Sequence, residues 1–134
     1  ARAKPGEGDD DFPLEQEGGD TYEEPQQLPW LFESLSREAA ERLLRARLPD
    51  PADPRHNGRF LVRKKDKPGS FAVSVLWDGR IIHHLFEEPM PGVWVVNGVA
   101  GPTDVYTLAD LVEMFGKPGS WRTLLLHPVT SLQV

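Results

Sequence analysis

The sequence predicts an α+β fold in which a central antiparallel sheet is flanked by one helix on each face. Three observations lead there. Two segments with helical apolar spacing lie near opposite ends of the chain, and a series of short strands separated by tight-turn signals runs between them. The third is the run Phe60-Leu61-Val62-Arg63, which sets an arginine in an otherwise apolar strand. Alternation puts Phe60 and Val62 on one side and Leu61 and Arg63 on the other, so the guanidinium shares a face with leucine. A half-buried guanidinium needs an anion, supplied either by a carboxylate of the chain or by a ligand.

Charge divides the 134 residues into two parts. Residues 1–29 hold nine Asp/Glu against Arg2 and Lys4, a net of −7, while the whole chain carries −6, so residues 30–134 are left at +1. The acidic stretch is rich in Gly, Pro, Glu, Asp and Gln and almost free of periodic apolar residues, the composition of a disordered tail. Residues 30–134 are expected to form one domain. A nearly neutral domain argues against nucleic acid as a partner. The absence of cysteine excludes disulfides, thiolate nucleophiles and cysteine-ligated zinc. No apolar run approaches the ~18 residues of a membrane span, so no membrane insertion is expected, and the start is acidic where a signal peptide is basic. The chain opens on Ala1, which suggests a fragment of a longer protein.

The elements follow in order from Trp30. Ser36 suits an N-cap and Glu38 the first helical turn, and Ala40, Leu43, Leu44 and Leu48 recur at i, i+3, i+4 and i+8, which predicts an amphipathic helix ending before Pro49. Pro49 to Gly58 reads as a proline-rich loop. Two strands joined at Lys67-Pro68-Gly69 come next, and the second ends at Trp77-Asp78-Gly79-Arg80, whose Asp-Gly pair signals a two-residue hairpin. Ile81–Phe86 is the third strand of this meander, and Val93–Val96 is a short one after Pro89 and Pro91-Gly92. Thr107 caps a second helix with Leu108, Leu111, Val112 and Phe115 on one face and Gly116 as its stop. Leu124–Leu126 is a candidate edge strand.

Four blocks in this order resemble the SH2 domain, the phosphotyrosine-binding module of signalling proteins, over roughly residues 30–129. They are Trp30-Leu31-Phe32 through Ser36-Arg37 to Glu41-Arg42-Leu43-Leu44; Gly58-Arg59-Phe60-Leu61-Val62-Arg63; Ser74-Val75 and Gly79 leading to His83; and Thr107-Leu108-Ala109-Asp110-Leu111-Val112. The resemblance implies a cytoplasmic, adaptor-type, non-catalytic module with tyrosine-phosphorylated proteins or peptides as partners and no cofactor. It implies that Arg63 is the floor of the phosphate pocket, that Arg37 is the helix-start arginine touching phosphate and ring, and that His83 organises the pocket and meets the ligand backbone. Where the family usually has a small hydroxyl residue the chain has Lys65, with Ser70 near enough to supply a hydroxyl. His84 stands where many members carry a tyrosine that shapes the groove after the phosphotyrosine, and Leu85 where a lysine often sits. His83 and His84 point to opposite faces, so they cannot share a metal from one strand.

The chemistry of the residues agrees with this. A phosphate of about −1.5 to −2 charges needs fixed donors of opposite sign, and an arginine fork binds two of its oxygens at once. Without cysteine the phosphatase alternative loses its usual nucleophile. The remaining alternative is a degenerate SH2 fold acting as a structural, phosphate-independent interaction module. The tail adds Asp20-Thr21-Tyr22-Glu23-Glu24-Pro25, a tyrosine in acidic context open to a kinase and, once phosphorylated, a self-ligand within one molecule or between two.

Overall fold

The computed structural model describes residues 28–130. The acidic stretch 1–27, Tyr22 with it, and residues 131–134 lie outside the described residues. The elements are β1 (Leu31–Phe32), α1 (Arg37–Arg45), β2 (Arg59–Lys64), β3 (Ser70–Trp77), β4 (Arg80–Met90), β5 (Val93–Val96), β6 (Val99–Ala100), α2 (Leu108–Met114) and β7 (His127–Pro128). The sheet runs β1-β2-β3-β4-β5-β6, antiparallel from β2 onwards. Two short pieces join β2 in parallel on its outer edge, β1 against Val62 and Arg63 and β7 against Arg59 and Phe60, so the sheet is mixed there.

Local chemistry sets most boundaries. Ser36 Oγ accepts from Ala39 N at 3.1 Å and starts α1, as Thr107 Oγ1 accepts from Asp110 N at 3.1 Å for α2. Helix α1 ends sooner than its apolar spacing suggests. The Arg59 guanidinium donates to the carbonyls of Leu44, Leu43 and Ala46 at 2.9, 3.1 and 3.3 Å, satisfying the helix end from another element. The proline-rich loop contains a single 3-10 turn, Pro54–His56, with Asp53 Oδ1 accepting from Arg55 N. Asp78 and Gly79, with φ of 52° and 78°, form the expected hairpin turn, and Asn97 and Gly98 (52° and 81°) form a second. Strand β4 extends past Phe86 to Met90 because its register shifts between Glu87 and Met90, an irregularity that tolerates Pro89. The last strand falls at His127–Pro128 rather than Leu124–Leu126: Leu125 is drawn into the core, and Leu126 lies on Gly58, where an added Cβ would come within 2.8 Å of it.

The two faces of the sheet are unequal. On the α2 face Phe60, Val62, Val73, Val75 and Phe86 pack with Leu111 and Phe115 in the larger core. On the α1 face the buried cluster is only Ala40, Leu44, Leu61 and Val129. Beyond Leu61 that face turns polar, and this is where Arg63 lies.

Candidate functional site

Register builds the site as rows across β2, β3 and β4, since directly opposed residues share a face. One row is Leu61, Ser74, His83; the next is Arg63, Ala72, Leu85; in the third, Ser70 faces Glu87. Arg63 thus has the small, buried side chain of Ala72 between it and Leu85.

Arg63 is half-buried and poorly satisfied. Its Nη1 donates to Leu35 O at 3.5 Å, and its Nε is buried without a hydrogen-bond partner. It makes no ion pair among the described residues. Burial, and then the neighbouring charge of Arg37, pull its pKa down, against Glu38 and Glu41, which raise it. A guanidinium so placed favours an incoming anion, which would relieve both the desolvation and the repulsion. The internal-carboxylate alternative finds no partner among the described residues.

Of the other predicted residues, Arg37, His83, Ser70 and Leu85 lie on or over the same face. Arg37, at the first turn of α1, is 66% exposed with its Nε 3.7 Å from Glu41 Oε2. The same oxygen accepts from His83 Nε2 at 2.8 Å. Because an ionised carboxylate can only accept, Nε2 donates to Glu41, while Nδ1 meets Ser74 Oγ at 2.7 Å. This hydrogen bond is the largest cause of the lowered Glu41 pKa, with the charges of His83, Arg37 and Arg45 adding to it and desolvation opposing. His83 therefore forms a Ser74–His83–Glu41 brace that ties β3 and β4 to α1 beside Arg63.

Lys65 is exposed on the β2–β3 loop, its backbone N bonded to Ser70 O at 3.0 Å. Lys64 and Lys67 lean on Glu33 and Glu87 at 3.3 and 4.0 Å. Ser70 is buried on the Arg63 face and lines a cavity of about 310 Å³ with Lys64, Lys65, Lys67, Phe71 and Glu88. Arg63 is not among the residues that line this cavity. Gly69 O accepts from Glu88 N at 2.7 Å, which fastens this loop to β4.

Leu85 lies on the Arg63 face, whereas His84 lies on the α2 face against Trp121, with ring centroids 4.1 Å apart. Burial first, and the charge of His83 second, lower the His84 pKa to about 4. Sequence reasoning did not single out Glu41, Ala72, Asn97 or Trp121. The i, i+4 spacing of Arg37 and Glu41 and the Asn97-Gly98 turn signal were available. For Ala72 and Trp121 no local signal exists, because their meaning comes from cross-strand register and from a loop packed back on the sheet.

Comparison with known proteins adds an independent finding. The SH2 domain family matches residues 30–115. The chain is 34% identical over 68 residues to the tyrosine-protein kinase SYK of Gallus gallus, covering 50% of this chain and 10% of that kinase. It is 30% identical over 88 residues to the tyrosine-protein kinase ZAP-70 of Homo sapiens, covering 66% and 13%. With the human 1-phosphatidylinositol 4,5-bisphosphate phosphodiesterase gamma-2 it shares 31% over 103 residues, covering 76% and 7%. The chain thus spans only a small part of the length of these relatives.

Proposed function

The chain belongs to the SH2 domain family, and from that premise we propose that it is a phosphotyrosine-dependent peptide-binding module of tyrosine-kinase signalling, without catalytic activity of its own. The observation that carries this reading is the half-buried Arg63 with an unpartnered Nε and with Arg37 close enough to repel it. Phosphate is a fitting anion for that place: it offers several acceptor oxygens and up to two charges, and the arginine fork meets two oxygens together. In this reading Arg63 and Arg37 grip the phosphate, Lys65 and Ser70 contribute from the β2–β3 loop, and His83 holds the pocket's shape. His84 and Leu85 border the ligand beyond the phosphotyrosine. A cytoplasmic location and an adaptor role belong to the same proposal. Among the described residues no helix is long and apolar enough to cross a membrane.

Nuclear magnetic resonance with phenyl phosphate, the bare side-chain group, tests the pocket. The expected result is saturable movement of the Arg63 and Arg37 guanidinium resonances. Saturable movement confined to other residues, or none, would favour the phosphate-independent module.

The tail extends the reading. Tyr22, once phosphorylated, serves as a ligand for the pocket, in the same molecule or in another. Eight residue steps lead from it to Trp30, a reach of at most ~27–29 Å, so exchange between molecules competes with closure in one. A tether that spans the gap gives an effective concentration in the millimolar range, roughly, and makes even a weak contact count. Phosphorylating Tyr22 should lower the affinity for external phosphopeptides or produce concentration-dependent dimers in light scattering, and Arg63→Ala should abolish either effect. Unchanged mass and unchanged external affinity would leave Tyr22 without this role.

A further inference from the structure

We propose that Arg47 and Arg59, at the far end of α1 from Arg63, form a second binding site that takes the terminal carboxylate of a partner chain together with its last, apolar side chain. The inference goes beyond the phosphotyrosine reading and does not depend on it.

Arg59 and Arg63 stand four residues apart on β2, so they share a face at a separation of ~13 Å, and Leu61 packs against α1 between them. Arg59 is also half-buried, burial pulls its pKa down, and it makes no ion pair among the described residues. Part of its guanidinium is already used. Nε and Nη2 donate to the carbonyls of Leu44, Leu43 and Ala46, which offsets the negative end of α1 that would otherwise repel an anion. Nη1 makes no hydrogen bond among the described residues and is not enclosed, so it is left for an incoming acceptor.

Arg59 lines a cavity of about 220 Å³ together with Leu43, Ala46, Arg47, Leu48 and Val129. Arg47, the residue after the C-cap of α1, brings a second guanidinium, exposed and without an ion pair among the described residues. The other four lining side chains are apolar, and no acidic side chain lines the cavity. Two cations among apolar walls suit an anion carried on an apolar body. A bare inorganic anion would leave the walls of Leu43, Leu48 and Val129 wet. The volume falls below the ~300–1,000 Å³ usual for whole small-molecule ligands and is of the order of one amino-acid residue. Within a chain an acidic residue and its apolar neighbour are two residues, whereas a chain terminus offers carboxylate and apolar side chain on one.

The test is nuclear magnetic resonance of the chain titrated with N-acetylleucine. The expected result is saturable movement of the Arg47 and Arg59 guanidinium resonances and of the Leu43, Leu48 and Val129 methyls, with Arg63 unmoved. N-acetylalanine, three carbons shorter, should bind at least about tenfold more weakly, since each buried methylene is worth about fourfold. The neutral N-acetylleucinamide should lose at least about tenfold as well. Arg47→Gly deletes one cation at a position whose φ of 63° suits glycine, and it should weaken N-acetylleucine about fivefold while leaving phenyl phosphate binding at Arg63 unchanged. Movement confined to Arg37 and Arg63 would place the acid in the phosphate pocket and overturn the proposal. So would no saturable movement, equal binding of acid and amide or of the leucine and alanine probes, or an affinity indifferent to Arg47→Gly. Phenyl phosphate added to the chain already saturated with N-acetylleucine reads the Arg63 pocket by itself: an unchanged affinity is expected, and a lost one would mean that the two probes share a site and would overturn the second site alone.

Discussion

Replacing Arg63 by methionine separates binding from stability more sharply than any other single change. Methionine keeps an unbranched stem on the same face of β2 and deletes the fork, so what is lost is the contact to phosphate. A hydrogen bond to a charged group contributes about 1.5–3 kcal/mol, and two held together by one guanidinium contribute roughly 3–4 kcal/mol, or about 100- to 700-fold in affinity. The folded state should not suffer. Arg63 Nε is buried without a partner, and an orphaned donor costs about 1–3 kcal/mol that methionine does not incur. Allowing for the Leu35 contact that is also lost, the variant should melt at the same temperature or up to about 4–8 °C higher, the equivalent of ~1 kcal/mol in a domain of this size. Isothermal titration with a phosphotyrosine peptide and differential scanning calorimetry on the same preparation give both numbers. Affinity reduced less than about tenfold, or a melting temperature several degrees lower, would mean that Arg63 serves the fold rather than the ligand.

Arg37→Ala should weaken the same binding by only about fivefold, and less at high salt, because its side chain is mostly exposed and its contact screened; a loss equal to that of Arg63→Met would reverse the assigned roles. Phe86→Ala should cost about 3–5 kcal/mol in urea unfolding, since the ring is fully buried against Phe115 and Trp121; a cost under about 1 kcal/mol would contradict the packing. Stability should also depend on pH through His84. Its folded pKa, about 4, lies below the ~6.5 of an unfolded histidine, so between those values the unfolded chain binds a proton that the folded chain refuses. The contribution is present in full above pH ~6.5 and is lost as pH falls towards 4. For a ring that solvent partly reaches, about 1–2 kcal/mol is expected. His84→Gln should flatten that part of the pH profile in urea melts, and an unchanged slope would mean that other groups set it.

The sequence carried the fold well where chemistry is local. Ser36, Thr107 and the Asp78-Gly79 pair announce their caps and turn through groups that act within a few residues. The parallel pieces β1 and β7 were not visible, because two-residue strands have no period of their own and exist only through pairing with β2. The end of α1 was misplaced for a similar reason: it is closed by Arg59, from another element. For the site, alternation put Leu61 and Arg63 on one face of β2 and separated His83 from His84 on β4, while the pairing of Arg63 with His83 was only implied by the resemblance and is seen in the register. What alternation cannot give is what lies opposite. That Ala72 stands opposite Arg63, that Glu41 steadies His83, and that Asn97 and Trp121 contact His84 follow from register and loop packing.

The central claim is that the unpartnered guanidinium on β2 recognises a phosphate borne by tyrosine. Its most direct test is isothermal titration of the chain with three peptides of one sequence, carrying tyrosine, phosphotyrosine or phosphoserine at the same position. The pocket geometry predicts binding of the phosphotyrosine form alone at micromolar concentrations. Arg63 is two strand spacings, about 9–10 Å, from β4, a span that suits a side chain as long as phosphotyrosine. Equal binding of the tyrosine and phosphotyrosine peptides would contradict phosphate recognition, and equal binding of the phosphoserine peptide would contradict the row geometry from which the pocket was built.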